Sequence, residues 1–75
     1  MEYTRATMDE TDLVEQVEEA LLEDEGVQDH LITVTREGRI IYLRGRATSP
    51  QARDAATRAA AQVPGVHAVV NELEV

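Results

Sequence analysis

The spacing of apolar residues changes from helical to alternating at Val27, and that change limits the folds this chain can adopt. Residues 9–26 read DETDLVEQVEEALLEDEG, with apolar side chains at positions 13, 14, 17, 20 and 21, which is helical spacing. From Val27 to Ala47 the apolar residues alternate with others, a pattern typical of β-strands with one buried face. The sequence therefore predicts an initial helix followed by strands.

The first helix has recognisable start and stop signals. Asp9 is a plausible N-cap, with Met8 and Leu13 placed to pack across the first turn. Gly26 fits the position just beyond the last turn. Residues 1–8, MEYTRATM, show no periodicity, so we expect a flexible tail at 1–8 and a single domain at 9–75.

Two strands follow, joined by a short turn. In HLITVTR, Ile32 and Val34 share one face, and in IIYLRGRA the inward positions are Ile41, Leu43, Gly45 and Ala47. The turn REGR contains Gly38, which is free to adopt a positive φ. The sequence thus predicts an antiparallel hairpin.

A second helix and a last strand complete the order αββαβ. Ser49 as N-cap and Pro50 at the first helical position begin a helix that ends near Val63, before Pro64 and Gly65. Its inner positions are small: Ala52, Ala55, Ala56, Ala59 and Val63. A crossover through a helix makes the strands that it joins parallel. We therefore predict an α+β fold, a three-stranded mixed sheet with two helices packed on one face.

Four residues are assigned structural roles: Gly38, Gly45, Gly65 and Asn71. Gly45 takes an inward strand position, where close contact with the alanine-rich helix, or alternatively a bulge, requires glycine. Asn71 lies in phase with Val69, Leu73 and Val75, so its amide is expected to bond backbone groups where a helix end meets the sheet. The alternative is that Asn71 contacts a ligand.

The distribution of charged residues along the chain disfavours several classes of partner. Residues 1–29 contain eleven acidic residues and one arginine, whereas residues 30–75 contain four acidic residues and six arginines. This balance disfavours nucleic acid, which is bound through cations, and also disfavours anionic lipid surfaces. At 75 residues the chain buries only about 60% of its unfolded surface, so a deep active site is not expected.

The chain resembles the BON domain, named for bacterial osmotically induced and nodulation proteins. The resemblance covers residues 9–75 and rests on LVEQVEEAL, Val27, ITVTREG, IIYLRG, Ser49 and AAAQVPGVHAVVNELEV. It departs from the family pattern between Gly38 and Leu43, where one extra residue predicts a wide or bulged hairpin turn.

The resemblance implies a non-enzymatic binding or assembly module without cofactors, one that docks to a protein or cell-envelope component. BON domains usually occur in pairs or attached to lysin-motif, CBS, secretin or channel domains. The family is associated with phospholipid or envelope binding and, in a lysin-motif fusion, with potassium sensing. Direct binding of a phospholipid headgroup or of a monovalent cation such as potassium is therefore the alternative function.

Other chemistry-bearing residues support no specific site. His30 and His67 each stand at a strand start without a nucleophile or acid at motif spacing, so neither catalysis nor metal binding is predicted. The acidic stretch EDEGVQD lacks the alternating pattern of a calcium loop and is interpreted as a solvated surface, with weak cation binding as the alternative.

The sheet face opposite the helices is the expected contact surface. It should carry Leu31, Thr33, Ile40, Tyr42, Ala68 and Val70, bordered by Arg44, Arg46, Glu72 and Glu74. Contiguous exposed apolar area often marks an interface, here with a neighbouring module of a larger parent protein or with a second copy. The alternative is an ordinary wet surface. Pairing with Glu72 and Glu74 would neutralise the two arginines and weaken phospholipid binding.

The compartment is not determined by the sequence. No signal peptide and no apolar run near the ~20 residues that a membrane-spanning helix needs is present in these residues. We expect a cytoplasmic location if the chain is full-length, and a periplasmic or envelope location if it is a module excised from a larger protein.

Overall fold

The computed structural model describes the backbone of residues 3–75 and the side chains of residues 13–28 and 30–75. The predicted α+β fold is confirmed, with the elements in the expected order. A short 3-10 helix, Asp29–Leu31, precedes the first strand. The main elements are α1 (Tyr3–Glu23), β1 (Ile32–Glu37), β2 (Ile40–Arg46), α2 (Pro50–Ala61) and β3 (Ala68–Glu74).

The strands form one mixed sheet in the order β1-β2-β3. β1 and β2 are antiparallel, with Val34 opposite Leu43, and β2 and β3 are parallel, with Leu43 opposite Asn71. The central strand is therefore β2, and both β1 and β3 are edge strands. This is the register that the inward apolar stripes predict.

One continuous core lies between the two helices and the inner face of the sheet. α1 contributes Leu13, Val17 and Leu21, and α2 contributes mainly alanines, whose small side chains allow that helix to lie close to the sheet. The most deeply buried strand residues are Ile41 and Leu43 on β2. Both helices therefore pack on one face, as predicted.

The helix α1 begins earlier than the sequence predicts. It starts at Tyr3, so Asp9 lies inside the helix, and the prediction that Asp9 is the N-cap is wrong. Residues 4–8 contain neither glycine nor proline, so helical hydrogen bonding can continue upstream. The expected packing of Met8 on Leu13 lies outside the described side chains, and the flexibility of residues 1–8 stays a prediction.

The end of α1 is also different. The helix ends at Glu23, and Gly26 does not adopt the positive φ of the predicted C′ position. Asp24 forms the turn instead: its Oδ1 accepts a hydrogen bond from Gly26 N at 2.9 Å, and its carbonyl accepts one from Val27 N at 3.0 Å. An aspartate side chain that bonds two residues ahead replaces the glycine signal.

The hairpin turn is short, and the prediction of a wide or bulged turn is wrong. Glu37 pairs with Ile40, so only Gly38 and Arg39 form the loop. Gly38 has φ +62°, which suits the first central position of a two-residue hairpin turn.

The helix α2 begins as the sequence predicts. Ser49 Oγ accepts a hydrogen bond from Ala52 N at 3.0 Å, and Pro50 occupies the first turn. The inner positions Ala52, Ala55, Ala56, Ala59 and Val63 are all buried. After α2, Gly65 O accepts a hydrogen bond from Arg39 at 3.3 Å, and His67 N donates to Arg39 O at 2.9 Å. These contacts attach the start of β3 to the hairpin turn.

Gly45 is required by a contact that the sequence did not indicate. Its φ is +126°, and a Cβ at this position would lie 2.0 Å from Leu31 O. No side chain fits at that distance, so the backbone of the 3-10 helix excludes every residue except glycine. The predicted cause, close approach of α2, is wrong, because the carbonyl of Leu31 rather than the helix occupies this space.

Candidate functional site

The outer face of the sheet carries the side chains that alternate with the buried residues of β2. Ile40, Tyr42 and Arg44 point away from the core because Ile41 and Leu43 between them are fully buried. Both helices pack on the other face, so no element among residues 3–75 covers this one. We call this surface the open face and define it by Thr33, Ile40, Tyr42, Arg44, Arg46, Ala68, Val70, Glu72 and Glu74.

The apolar centre of the open face comes from β2 and β3. Tyr42 lies opposite Val70, and Ile40 lies opposite Ala68. Tyr42 and Val70 are half-buried by their neighbours, whereas Ala68 is exposed and Ile40 is 37% exposed. The apolar area that a partner could cover is therefore modest and lies at the end of the sheet where β2 and β3 begin.

The sequence predicts that Leu31 is a strand residue on the open face, but the structure places it before the strand. It lies in the 3-10 helix before β1, where Leu31 N donates to Gln28 O at 3.0 Å. The strand alternation that would place Leu31 in line with Thr33 begins only at Ile32. Leu31 is half-buried, and its carbonyl is the group that packs against Gly45.

Arg44 is held by its own neighbours on the open face. Its Nε lies 2.7 Å from Glu72 Oε1 across the β2–β3 pairing, and its guanidinium lies 5.8 Å from the centre of the Tyr42 ring. The hydrogen bond from Arg44 to Glu72, followed by the charge of Glu72, raises the pKa of Arg44 above its ordinary value. Glu72 neutralises the charge of Arg44 and so weakens its attraction for a phosphate group.

Arg46 and Glu74 are opposite one another in register but are not bonded to each other. Among the side chains that the structure describes, neither forms an ion pair, and both are exposed. The open face thus ends in one positive and one negative group. Each of them is accessible to an opposite charge on another molecule.

Asn71 is directed into the fold. Its Nδ2 donates to Arg53 O at 2.8 Å and to Thr57 Oγ1 at 2.6 Å, and its Oδ1 accepts from Leu73 N at 3.0 Å. The contacts are with the middle of α2, not with a helix end as the sequence predicts. Both N–H groups of the amide and its oxygen are bonded within the fold, which supports a structural role for Asn71.

The described side chains contain no constellation typical of catalysis or metal binding. His30 and His67 are both exposed, and no group of three histidine or acidic side chains within the described residues is arranged to hold a metal ion. In the same part of the chain, neither helix combines the length and apolarity that crossing a bilayer would require.

Sequence reasoning missed a groove between α1 and β1. Leu22, in the last turn of α1, is 65% exposed and lies beside Ile32 and Val34 at this groove. The sequence did contain one signal for this groove, because Leu22 lies beside the apolar stripe of the helix and not within it. An apolar residue outside the core-facing stripe is expected to be exposed.

Comparison with known families and proteins gives one result. The family model described as the BON domain matches residues 9–75. The matched range contains β1, β2, α2 and β3 in full, and it contains α1 from Asp9 onward. A search of curated proteins returned no match to this sequence.

Proposed function

Because the chain belongs to the BON domain family, we propose that it is a non-catalytic assembly module that docks to a second module of the same kind through the open face. The observation that carries this proposal is a sheet with two helices on one side and, among residues 3–75, no element that covers the other side. Such a face, with partly exposed apolar side chains at its centre, is typical of a contact surface.

The centre of the open face supplies an anchor. Tyr42 is the only aromatic residue within the matched range, and aromatic residues are enriched among the side chains that dominate binding energy. Its hydroxyl is 3.4 Å from Glu37 Oε1, and Arg44 lies against its ring. The ring is therefore held in place before a partner arrives, which lowers the entropy lost on binding.

The charges at the border favour a second copy as the partner. In a two-fold arrangement the same patch meets itself, so each group on one copy meets a group on the other. Arg46 and Glu74, which are not paired with each other, supply one charge of each sign to such a contact. The two copies can then form reciprocal Arg46–Glu74 pairs around Tyr42 and Val70.

Direct binding of a phospholipid headgroup or of potassium is less well supported. Arg44, the central cation of the open face, is bonded to Glu72. Asp24, in the acidic stretch that was the alternative cation site, uses Oδ1 to accept a hydrogen bond from Gly26 N. Each group therefore already has a partner within the fold, which weakens its attraction for an ion.

Sedimentation velocity across micromolar to millimolar concentration tests the proposal. We expect the wild type to self-associate and Tyr42→Glu to remain monomeric, because a carboxylate at the centre of the contact would be desolvated. Gln51→Glu is the matched control, since it adds the same charge at an exposed position of α2 and should associate like the wild type. A wild type that stays monomeric at millimolar concentration would refute the proposal.

A further inference from the structure

A second surface lies along β1, away from the open face. β1 is an edge strand, and among residues 3–75 no strand pairs with its outer side. Beside it, a groove of about 340 Å³ separates β1 from α1. We call this the α1–β1 groove; it is lined by Glu15, Glu18, Glu19, Leu21, Leu22, Ile32 and Val34.

The other edge strand is less suited to pairing. Ala47 N donates to Glu74 O at 2.8 Å, so the peptide groups of Glu74 face β2 and those of the preceding Leu73 face outward. Leu73 N is already bonded to Asn71 Oδ1 at 3.0 Å. β3 thus has one outward donor occupied by its own side chain, whereas no described side chain blocks the backbone of Ile32 or Val34 in β1.

The groove has an apolar floor. Leu22 is 65% exposed, and Ile32 at the start of β1 is half-buried. Val34, the next inward residue of β1, continues the floor towards the middle of the strand. An added strand would cover these side chains on the helix side.

The rim of the groove is acidic. Glu15, Glu18 and Glu19 line it from α1, and no basic residue lines it. None of the three carboxylates forms an ion pair with any side chain that the structure describes. The rim therefore favours a partner that carries positive charge.

We propose that the α1–β1 groove binds an extended basic peptide, which adds to β1 as a fourth strand. Main-chain hydrogen bonds to a sheet edge supply affinity in this mode, and alternate side chains supply specificity. The six residues of β1 span about 20 Å, so they accept a segment of similar length. An apolar side chain of the peptide meets Leu22 and Ile32, and its arginine or lysine side chains reach Glu15 and Glu18.

A second copy of this chain is excluded as the occupant of the groove by charge. Two β1 edges placed together would bring two acidic rims together. The inference is independent of the proposed function, since the groove is formed by α1 and the outer edge of β1, and the open face is formed by side chains on the opposite side of the sheet.

A fluorescently labelled synthetic peptide tests the inference by fluorescence anisotropy. Threonine occupies every second position of this peptide, and the positions between hold leucine in the first half and arginine in the second half. We expect saturable binding at micromolar protein concentration and slower amide hydrogen exchange in β1, with exchange in β3 unchanged. Replacing arginine in the peptide by glutamate, or replacing its threonines by proline, should abolish binding, because proline removes the donors that pair with the edge.

Matched variants of the chain separate the rim from overall charge. Glu15→Gln/Glu18→Gln/Glu19→Gln should weaken peptide binding about tenfold, since each exposed ion pair contributes modestly. Leu22→Ser should also weaken it. The control Glu23→Gln/Glu25→Gln/Asp54→Asn removes the same charge at exposed positions that line neither the groove nor the open face, and it should change affinity by less than about twofold because of screening.

Three outcomes would overturn the inference. One is the absence of binding at millimolar peptide concentration. Another is equal weakening by both triple variants, which would indicate only non-specific attraction to an acidic protein. The third is protection of β3 or perturbation of Tyr42 in place of protection of β1, which would assign the peptide to another surface.

Discussion

Asn71 Nδ2 donates a hydrogen bond of 2.6 Å to Thr57 Oγ1 and so connects the middle of β3 to the middle of α2. The same nitrogen bonds Arg53 O, and the amide oxygen bonds Leu73 N. A polar side chain within an apolar stripe thereby has its partners inside the protein, and the helix is held in one position along the strand.

Replacing this amide should destabilise the domain. Asn71→Leu removes three hydrogen bonds and should lower the free energy of unfolding by about 1–3 kcal/mol, since polar groups lose their partners. The melting temperature, measured by circular dichroism, should then fall by at least several degrees. Thr57→Val, which removes only one of the three bonds, should cost less. An unchanged melting temperature together with lost ligand binding would assign Asn71 to a binding site.

Two glycine variants, one in β2 and one in the hairpin turn, should separate steric exclusion from backbone strain. Gly45→Ala would place a Cβ 2.0 Å from Leu31 O at φ +126°, so we expect a loss of more than about 2 kcal/mol or failure to fold. Gly38→Ala is the matched control, because its φ is also positive, at +62°, but no atom lies within 4 Å of the added Cβ. That variant should cost about 1 kcal/mol in chemical denaturation. Equal losses at the two positions would show that Leu31 moves aside.

The chain should bind anionic vesicles weakly or not at all at physiological salt. The first 29 residues carry eleven acidic side chains, and Arg44 is paired with Glu72. Co-sedimentation with vesicles that contain phosphatidylglycerol measures this directly, and Glu72→Gln should increase the bound fraction by releasing Arg44. Low-micromolar binding by the wild type, insensitive to Arg36→Ala and Arg39→Ala, would contradict the expectation.

Removing residues 1–8 should leave the domain folded. The match to the BON family begins at residue 9, and Leu13 is the first described side chain of the core. A chain that begins at residue 9 should therefore retain its melting temperature within a few degrees, even though α1 begins at Tyr3. A large fall would show that the first helical turns contribute to the packing of the domain.

Local signals along the sequence predicted most of the fold. The alternation around Ile41 and Leu43 indicated which face of β2 is buried, and Ser49 and Pro50 indicated where α2 begins. These features depend on neighbours within a few residues, so they can be interpreted without knowing the rest of the structure. The predicted start of α1 was wrong because it, too, depended on a local signal. Asp9 is an acceptable N-cap residue, but the helix continues upstream of it to Tyr3.

Contacts between distant segments could not be predicted in this way. The sequence indicated that Asn71 faces the core, but its bonds to Arg53 and Thr57 depend on where α2 lies across the sheet. Likewise, Gly45 was recognised as unusual, whereas the carbonyl of Leu31 that requires it comes from a segment fourteen positions earlier. Leu22 gained a role only when α1 was placed beside the edge of β1.

The sequence by itself determined the order of elements, the buried face of each strand and the family, because periodicity and capping are properties of short stretches of chain. Only the tertiary structure decided which groups meet: Arg44 with Glu72, Leu31 with Gly45, and the acidic side of α1 with an unpaired strand edge. An amphipathic pattern specifies the direction that a side chain faces, whereas its partner is set by the packing of whole elements against one another.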